Sequence, residues 1–113
     1  MKPTLLGLNR IAAVLGTGMQ DFVWHGCIAG LLKEEDGGAT VTILAIDSKH
    51  EGCGNCRKFL EDMLVQYQTV NVLDVTSPKV EHLLTSLGFQ PFIYTDDGDM
   101  THGFTNAPQR LRL

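Results

Sequence analysis

The stretch from Thr40 to Gln68 constrains the fold of this chain more than any other part of it. Residues 40–47 read TVTILAID, a run that is β-branched or apolar almost throughout and predicts a strand covered on both faces. A short turn, Ser48 to Gly52, leads into Cys53-Gly54-Asn55-Cys56. Residues 55–68 then predict an amphipathic helix, because the apolar side chains recur at spacings of three and four. The sequence therefore places a Cys-x-x-Cys motif between a strand and a helix.

This placement favours thiol chemistry. The first turn of a helix carries backbone N–H groups without intrahelical partners and a partial positive charge, and both stabilise a thiolate. An ordinary cysteine with a pKa of about 8.5 is roughly 3% thiolate at neutral pH, whereas a pKa of about 7 makes it roughly half thiolate. We therefore predict that Cys53, the first of the pair, attacks disulfides. Cys56, one helical turn further in and more buried, would resolve the mixed disulfide.

Two alternatives stay open at the level of the sequence. His50, Cys53 and Cys56 have ligand-like spacing, and His25 and Cys27 are further candidates for a zinc site. A structural zinc site normally takes four ligands in two pairs, and one Cys-x-x-Cys pair is present, so dithiol chemistry is favoured and no metal is expected. The other alternative is a binding module in which the cysteines are incidental. Cys27 is expected to be a small buried core residue.

Composition narrows the functional class. The chain has 113 residues and a formal net charge of −4, and its longest basic cluster is Arg57-Lys58, which argues against nucleic-acid binding. No apolar run is long enough to cross a bilayer. Three cysteines are too few for a disulfide scaffold and suit a reducing compartment. We expect one domain spanning residues 1–113, a monomer and a cytoplasmic location.

The N-terminal third is harder to interpret. Residues 1–16 are apolar without a clear period and predict a short strand or helix. Thr17 to Gln20 has the form of a helix capping box, which predicts a helix at about 18–35. The competing prediction for this region is a β-hairpin that turns at Asp36-Gly37.

The C-terminal half alternates clearly between strands and helices. From residue 40 the predicted order is strand, helix, strand, helix, strand, strand, helix. This order predicts an α/β fold with a four-stranded mixed sheet and helices on both faces, the first two strands being parallel and the last two a hairpin. The later elements are a strand at Thr69–Val75, a helix from Ser77-Pro78 to Gly88, strands at Phe92–Thr95 and Asp99–His102 around Asp96-Asp97-Gly98, and a short helix from Thr105 to Leu113.

The order of elements, with Cys-x-x-Cys after its first strand, resembles the thioredoxin fold, and three segments are similar to the glutaredoxin branch. Residues 53–60 resemble the active-site helix of that branch. Phe89 to Ile93 resembles the segment that carries a cis-proline opposite the active site. His102-Gly103-Phe104 is similar to the glycine-bearing turn of the small redoxins that donate electrons to ribonucleotide reductase. The resemblance covers residues 40–113.

This resemblance implies a thioredoxin-like α/β/α sandwich, with 1–39 as an extension or a first βα unit that adds a fifth strand. It implies a dithiol–disulfide oxidoreductase that reduces protein disulfides, ribonucleotide reductase among them, and needs no cofactor beyond its own cysteines. Glutathione or a thioredoxin-reductase-like enzyme would supply electrons. A cis-proline at position 91 would set the backbone of the preceding residue beside the sulfurs. The implied substrate-binding residues are Gly54, Asn55, Gln90, Pro91, Gly103 and Phe104.

Overall fold

The order of strands and helices is defined by a computed structural model, which describes residues 1–48, 54–96 and 98–108. No helix within those residues is long and apolar enough to span a membrane. The elements are β1 (Thr4–Leu8), α1 (Arg10–Leu15), β2 (Gln20–Trp24), β3 (Ile28–Glu35), a tight turn (Asp36–Gly38), β4 (Thr40–Ser48), α2 (Asn55–Gln66), β5 (Thr69–Leu73), α3 (Pro78–Ser86), β6 (Gln90–Asp96) and β7 (Asp99–Thr105).

Seven strands from the described residues form one mixed sheet in the order β1-β2-β3-β4-β5-β7-β6. The pair β4 and β5, which α2 connects, is parallel, and every other neighbouring pair is antiparallel. The predictions of a parallel pair joined by a helix and of a C-terminal hairpin are therefore confirmed. The predicted bounds of the intervening helices differ from the observed ones by one or two residues.

The predicted fold class is wrong. A four-stranded thioredoxin-like α/β/α sandwich is contradicted by the seven-stranded sheet and by the position of the helices. Strands β5 and β6 are both antiparallel to β7, so β4, β5 and β6 run in the same direction and the two crossovers proceed the same way across the sheet. Right-handed crossovers then place α2 and α3 on the same face. The predicted fold had at most one strand before residue 40, which would have given a sheet of five strands. Three strands, β1, β2 and β3, precede β4.

The predicted helix at 18–35 is also wrong, because this region is the β2–β3 hairpin. Its turn spans residues 25–27, between the paired Trp24 and Ile28, and the amide of Cys27 donates a hydrogen bond of 3.1 Å to the carbonyl oxygen of Trp24. His25 and Gly26 have φ angles of 49° and 65°, in the left-handed region. Phe22 and Trp24 are both buried, so the apolar pattern has a period of two. The competing hairpin at Asp36-Gly37 is confirmed, since it joins the antiparallel β3 and β4.

Both chain ends depart in part from prediction. Residues 1–16 contain a strand and a helix, β1 and α1, where one of the two was expected. The predicted helix from Thr105 does not begin there, because Thr105 ends β7 and residues 106–108 are not helical. The rest of that prediction, residues 109–113, lies outside the described residues.

One apolar core fills the space between the sheet and the two longer helices. Phe59 of α2 stacks on Phe22 of β2 with ring centroids 5.5 Å apart. The indole N–H of Trp24 donates a hydrogen bond of 2.8 Å to Asp62 of α2, which fixes that helix against β2. Leu84 of α3 belongs to the same buried cluster. The remaining fully enclosed members are Ile28, Leu32, Val41, Ile43, Leu60, Met63 and Val70.

The opposite face of the sheet carries a polar network around Glu35. The hydroxyl groups of Thr42 and Tyr94 each donate a hydrogen bond of 2.8 Å to this carboxylate. The ammonium group of Lys33 lies 3.2 Å from it. Tyr94 is on β6 and Glu35 on β3, so the network joins two strands that have three others between them in the sheet.

The network sets the acidity of Glu35. Partial burial raises the pKa of this carboxyl, but the hydrogen bonds from Thr42 and Tyr94 and the Lys33 ammonium together lower it below its ordinary value of 4.5. Because the pKa is lower in the folded chain, the ionised carboxylate stabilises the fold at pH values above about 4.5. That contribution is lost as the pH falls through the folded pKa.

Replacing Glu35 with Gln should therefore lower the free energy of unfolding by about 1–2 kcal/mol at pH 7, since charged hydrogen bonds contribute more than neutral ones. The difference from the native chain should shrink below pH 4.5, where the native carboxylate protonates. Urea denaturation at pH 7 and pH 3 measures both effects. Glu61→Gln, on the exposed surface of α2, is the matched control and should change neither value. A Glu35→Gln loss that is constant with pH would contradict this account.

Candidate functional site

The two parallel strands separate toward their carboxyl ends. They pair over Thr40–Ile43 and Thr69–Val72, but β4 continues to Ser48 without β5 beside it in the ladder. The register with β3 shifts at the same place, which leaves Leu44 as an extra residue in β4. Such a bulge bends the strand that contains it. The resulting gap holds a cavity of ≈ 240 Å³ between residues 44–46 of β4 and the chain from 72 to 77.

A second, larger cavity adjoins the first at the beginning of the helices. Because α2 and α3 each follow one of the parallel strands, their N-termini lie at the same edge of the sheet. The wall of a cavity of ≈ 510 Å³ includes residues 54–57, residues 46–48 and, from α3 and its cap, Ser77, Lys79 and Val80. Ile46, Ser77 and Val80 line both cavities, so the two form one cleft.

The first turns of both helices present positive electrostatic potential to the cleft. Gly54 precedes α2 with a φ of 75°, and as the N-cap residue it has no side chain that could accept a hydrogen bond from the first amides of that helix. Ser77 caps α3, accepting from the amide of Val80 at 3.5 Å. Lys79 and Arg57 add cationic side chains, although the guanidinium of Arg57 also donates to Ser86 at 2.9 Å. The edge of the cleft is thus suited to an anion.

Cys56 forms part of this wall, beside Gly54 and Asn55. Its thiol is partly buried against the core, and this burial raises the pKa of Cys56 above its ordinary value. A raised pKa keeps this sulfur protonated at neutral pH, which suits a resolving thiol and not an attacking one. Cys53, the predicted attacking thiol, lies outside the described residues.

The other predicted substrate-binding residues lie elsewhere in the sheet. Gln90 and Pro91 are on the edge strand β6, where they pair with Thr105 and Phe104 of β7. Gly103 pairs with Leu73 of β5. The structure thus groups these residues with one another and separates β6 from β4 by two strands.

The expectation of a cis-proline is wrong, because the peptide bond before Pro91 is trans. The physical reason is the position of Pro91 on an edge strand, where a proline without a backbone N–H is tolerated in an extended segment. The backbone of Gln90 pairs with β7 and so does not serve a sulfur on α2.

The described residues contain no group of three or more His, Cys, Asp or Glu side chains arranged to hold a metal ion. His50 and Cys53, two members of the alternative zinc set, lie outside those residues. Cys27 is partly buried against the core, and its thiol donates to the carbonyl oxygen of Trp24 at 3.6 Å.

Sequence reasoning missed Ser77 and Lys79 as members of the site. The predicted order of elements could have identified them. Ligands bind at the carboxyl ends of parallel strands, and the predicted helix that begins at Ser77 follows the second of the two parallel strands. The residues before α2 also read Gly52-Cys53-Gly54, and glycines between a strand and a helix are typical of phosphate-binding segments. The sequence analysis interpreted this segment through its two cysteines and did not consider its glycines as a phosphate-binding feature.

Comparisons with protein-family models, with curated proteins and with solved structures gave no match for this chain. The chemistry of the site is therefore inferred from the cleft, the two helix N-termini and the Cys56 thiol.

The raised pKa of Cys56 predicts slow alkylation. In a Cys27→Ser, Cys53→Ser background, iodoacetamide at pH 8 should modify Cys56 at least about threefold more slowly than an exposed cysteine, because less of it is thiolate. Val65→Cys with Cys56→Ser provides the matched exposed thiol on the same helix, as Val65 is 80% exposed. Mass spectrometry of timed samples gives both rates. Equal rates at pH 8 would show that burial does not suppress the Cys56 thiolate.

Proposed function

We propose that this chain binds a phosphate-bearing ligand with an extended arm, and that coenzyme A and its acyl thioesters are the ligand class. The observation that carries the proposal is the convergence of the first turns of α2 and α3 on one cleft, at the carboxyl ends of parallel β4 and β5. The associated reaction is the transfer of an acyl group from the thioester to an acceptor.

The phosphate end of the ligand is assigned to the larger cavity. A helix N-terminus offers backbone N–H donors and a partial positive charge, and here two helices offer them together. Gly54 has no Cβ, so a ligand oxygen can approach the backbone before α2 closely. Lys79 and Arg57 add two cationic side chains to the lining of the same cavity, against one carboxylate, that of Asp47. A pyrophosphate, with more than one negative charge, suits this balance.

The arm of the ligand is assigned to the gap between the strands. Beyond Ile43 and Val72 the facing edges of β4 and β5 form no ladder with each other. An extended chain that carries amide groups can add to such an edge as a strand does, through backbone hydrogen bonds. Coenzyme A combines a pyrophosphate with an arm that contains two amides and ends in sulfur, so it matches both parts of the cleft.

The reactive carbonyl would lie where β4 leaves β5. Residues 44–46 of β4 border a gap that is partly apolar, with Ile46, Leu73 and Val80 in its walls, and β5 does not pair with them. Backbone N–H groups alternate between the two sides of a strand, so those of β4 that are directed away from β3 would face this gap. A donor fixed in a partly apolar site stabilises negative charge that develops on a thioester oxygen during acyl transfer. These backbone groups, and not a side chain, would supply the electrophilic assistance.

Calorimetric titration with acetyl-coenzyme A tests this proposal. Lys79→Glu should weaken binding about tenfold, because it replaces an attractive charge beside the pyrophosphate with a repulsive one. Lys58→Glu is the matched control, being an exposed lysine on α2 that does not line the cleft, and should change the affinity less than about twofold. A pantetheine derivative without phosphates should bind weakly to all three chains. The absence of any heat with acetyl-coenzyme A at millimolar concentration would refute the proposal.

A second candidate function is dithiol–disulfide exchange, favoured by the protonated, partly buried Cys56 in the wall of the cleft. In this proposal Cys53 attacks a protein disulfide, ribonucleotide reductase being one candidate substrate, and Cys56 resolves the mixed disulfide. Glutathione or a thioredoxin-reductase-like enzyme would restore the dithiol. A cytoplasmic location, where thiols stay reduced, belongs to the same proposal.

Insulin reduction distinguishes the second candidate from the first. Cys53→Ser should abolish reduction, and Cys56→Ser should leave a mixed disulfide that is visible as a covalent adduct by mass spectrometry. Cys27→Ser should reduce insulin at the native rate and serves as the control. Unchanged activity in Cys53→Ser, or no activity in the native chain with either electron donor, would rule out the exchange mechanism.

A further inference from the structure

Gly30 of β3 lies against the bulge in β4, at a point where no side chain fits. A Cβ atom added at residue 30 would overlap the carbonyl oxygen of Ala45 and lie 2.7 Å from the carbon of that carbonyl group. Both separations are below 3.0 Å, which Cβ atoms in proteins do not adopt. Glycine inside a strand marks a close approach of another backbone. The Ala45 carbonyl thus occupies the space that a side chain of residue 30 would need.

An aromatic ring closes the same space from another side. Phe22 of β2 pairs with Gly30, and a carbon of its ring would lie 3.0 Å from the added Cβ. This side chain is 1% exposed and its ring stacks on that of Phe59 in α2, so close packing holds it in place. A methyl group at residue 30 would therefore displace the Ala45 carbonyl and not the ring.

The same contact shows the direction of the peptide group between Ala45 and Ile46. The carbonyl oxygen of Ala45 is nearer to the Cβ position of residue 30 than the carbonyl carbon is, so the C=O bond points toward β3. The described peptide bonds are all trans. In a trans peptide the C=O and N–H bonds point in opposite directions. The Ile46 N–H is therefore directed away from β3, to the side of β4 on which β5 does not pair with it.

We propose that Gly30 is a positioning residue for the cleft. By leaving room for the Ala45 carbonyl, it directs the Ile46 N–H into the gap as a donor to the carbonyl oxygen of the bound thioester. Ile46 lines both cavities of the cleft, and a donor whose direction is fixed by packing needs no reorganisation when charge develops. The identity of the acceptor rests on the proposed function, whereas the direction of the N–H is a property of the ligand-free chain.

Amide hydrogen exchange in the ligand-free native chain tests the direction of this N–H. Ala45 pairs with Leu31 of β3, and in an antiparallel ladder the N–H and C=O of one residue point to the same side, so the Ala45 N–H also faces β3. The protection factor of the Ile46 amide should be at least about tenfold lower than that of the Ala45 amide, because no strand pairs with β4 on its side. An Ile46 amide as protected as that of Ala45 would overturn the proposal.

Gly30→Ala tests the role of the glycine. The residual dipolar coupling of the Ile46 N–H should change, because this bond shares a peptide plane with the displaced Ala45 carbonyl. The affinity for acetyl-coenzyme A should fall about fivefold, the loss expected for one hydrogen bond. Tyr67→Phe is the control, since it removes a hydrogen bond to Glu34 at the far end of α2. It should destabilise the chain, leave the Ile46 coupling unchanged and keep the affinity within about twofold of the native value.

A folded Gly30→Ala chain that keeps the native Ile46 coupling or the native affinity for acetyl-coenzyme A would contradict the proposal. If circular dichroism shows that Gly30→Ala does not fold, the exchange measurement on the native chain decides alone. A native chain that binds no acetyl-coenzyme A would refute the proposed function and the thioester as acceptor. The protection factors of Ala45 and Ile46 would then still decide whether Gly30 directs the N–H into the gap.

Discussion

The fold depends on one crossover, in which α2 connects the parallel strands β4 and β5. Parallel strands require a connection that returns across the sheet, and the right-handed rule sets the face on which α2 lies. The following connection proceeds in the same direction, so α3 covers the same face. Two consequences follow together. The apolar core forms on that face, and both helices begin at the edge where β4 and β5 end.

The cleft follows from a local irregularity placed on this crossover. If β4 and β5 stayed paired to their ends, the backbone groups between them would be satisfied and no gap would form. The extra residue at Leu44 and the end of the parallel ladder at Ile43 open the sheet directly beneath the helix N-termini. The cleft therefore combines two features. The first turns of α2 and α3 give it positive potential, and the edges of β4 and β5 that line it do not pair with each other. This combination favours a ligand that is charged at one end and extended at the other.

Local pattern predicted the central elements from the sequence and failed at long range. The strand at 40–47 and the helix at 55–68, which is observed as Asn55–Gln66, were predicted because a buried strand and an amphipathic helix have different periods. The segment from Thr17 to Glu35 was misassigned because Thr17 and Gln20 imitate a capping box, whereas the deciding residues, His25 and Gly26, form a turn that requires positive φ. The order of strands in the sheet depends on contacts between distant residues, which no local period encodes. The resemblance to thioredoxin-like proteins was based on the order of elements from residue 40 and on short segments such as Cys-x-x-Cys, and here that order of elements belongs to a seven-stranded sheet.

The same limit applied to the site. The Cys-x-x-Cys motif lies between β4 and α2, and its residues Gly54, Asn55 and Cys56 line the cleft. The residues expected opposite the cysteines lie on β6 and β7, because β5 and not β4 pairs with the hairpin. Lys79 and Ser77 belong to the site through the second crossover, which a motif centred on the first cannot reveal. Cys56 and the first turn of α2 thus share one wall of the cleft, and experiment can distinguish the two chemistries proposed for it.

The most direct measurement is a titration of the ¹⁵N-labelled chain with coenzyme A, followed through its amide resonances. The account predicts that the largest shifts fall on residues 54–57 at the start of α2 and on Ser77, Lys79 and Val80 at the start of α3, and that they extend along residues 44–46 of β4. Shifts confined to β6 and β7, or resonances that do not move at millimolar coenzyme A, would contradict the assignment of the cleft as a phosphate-binding site.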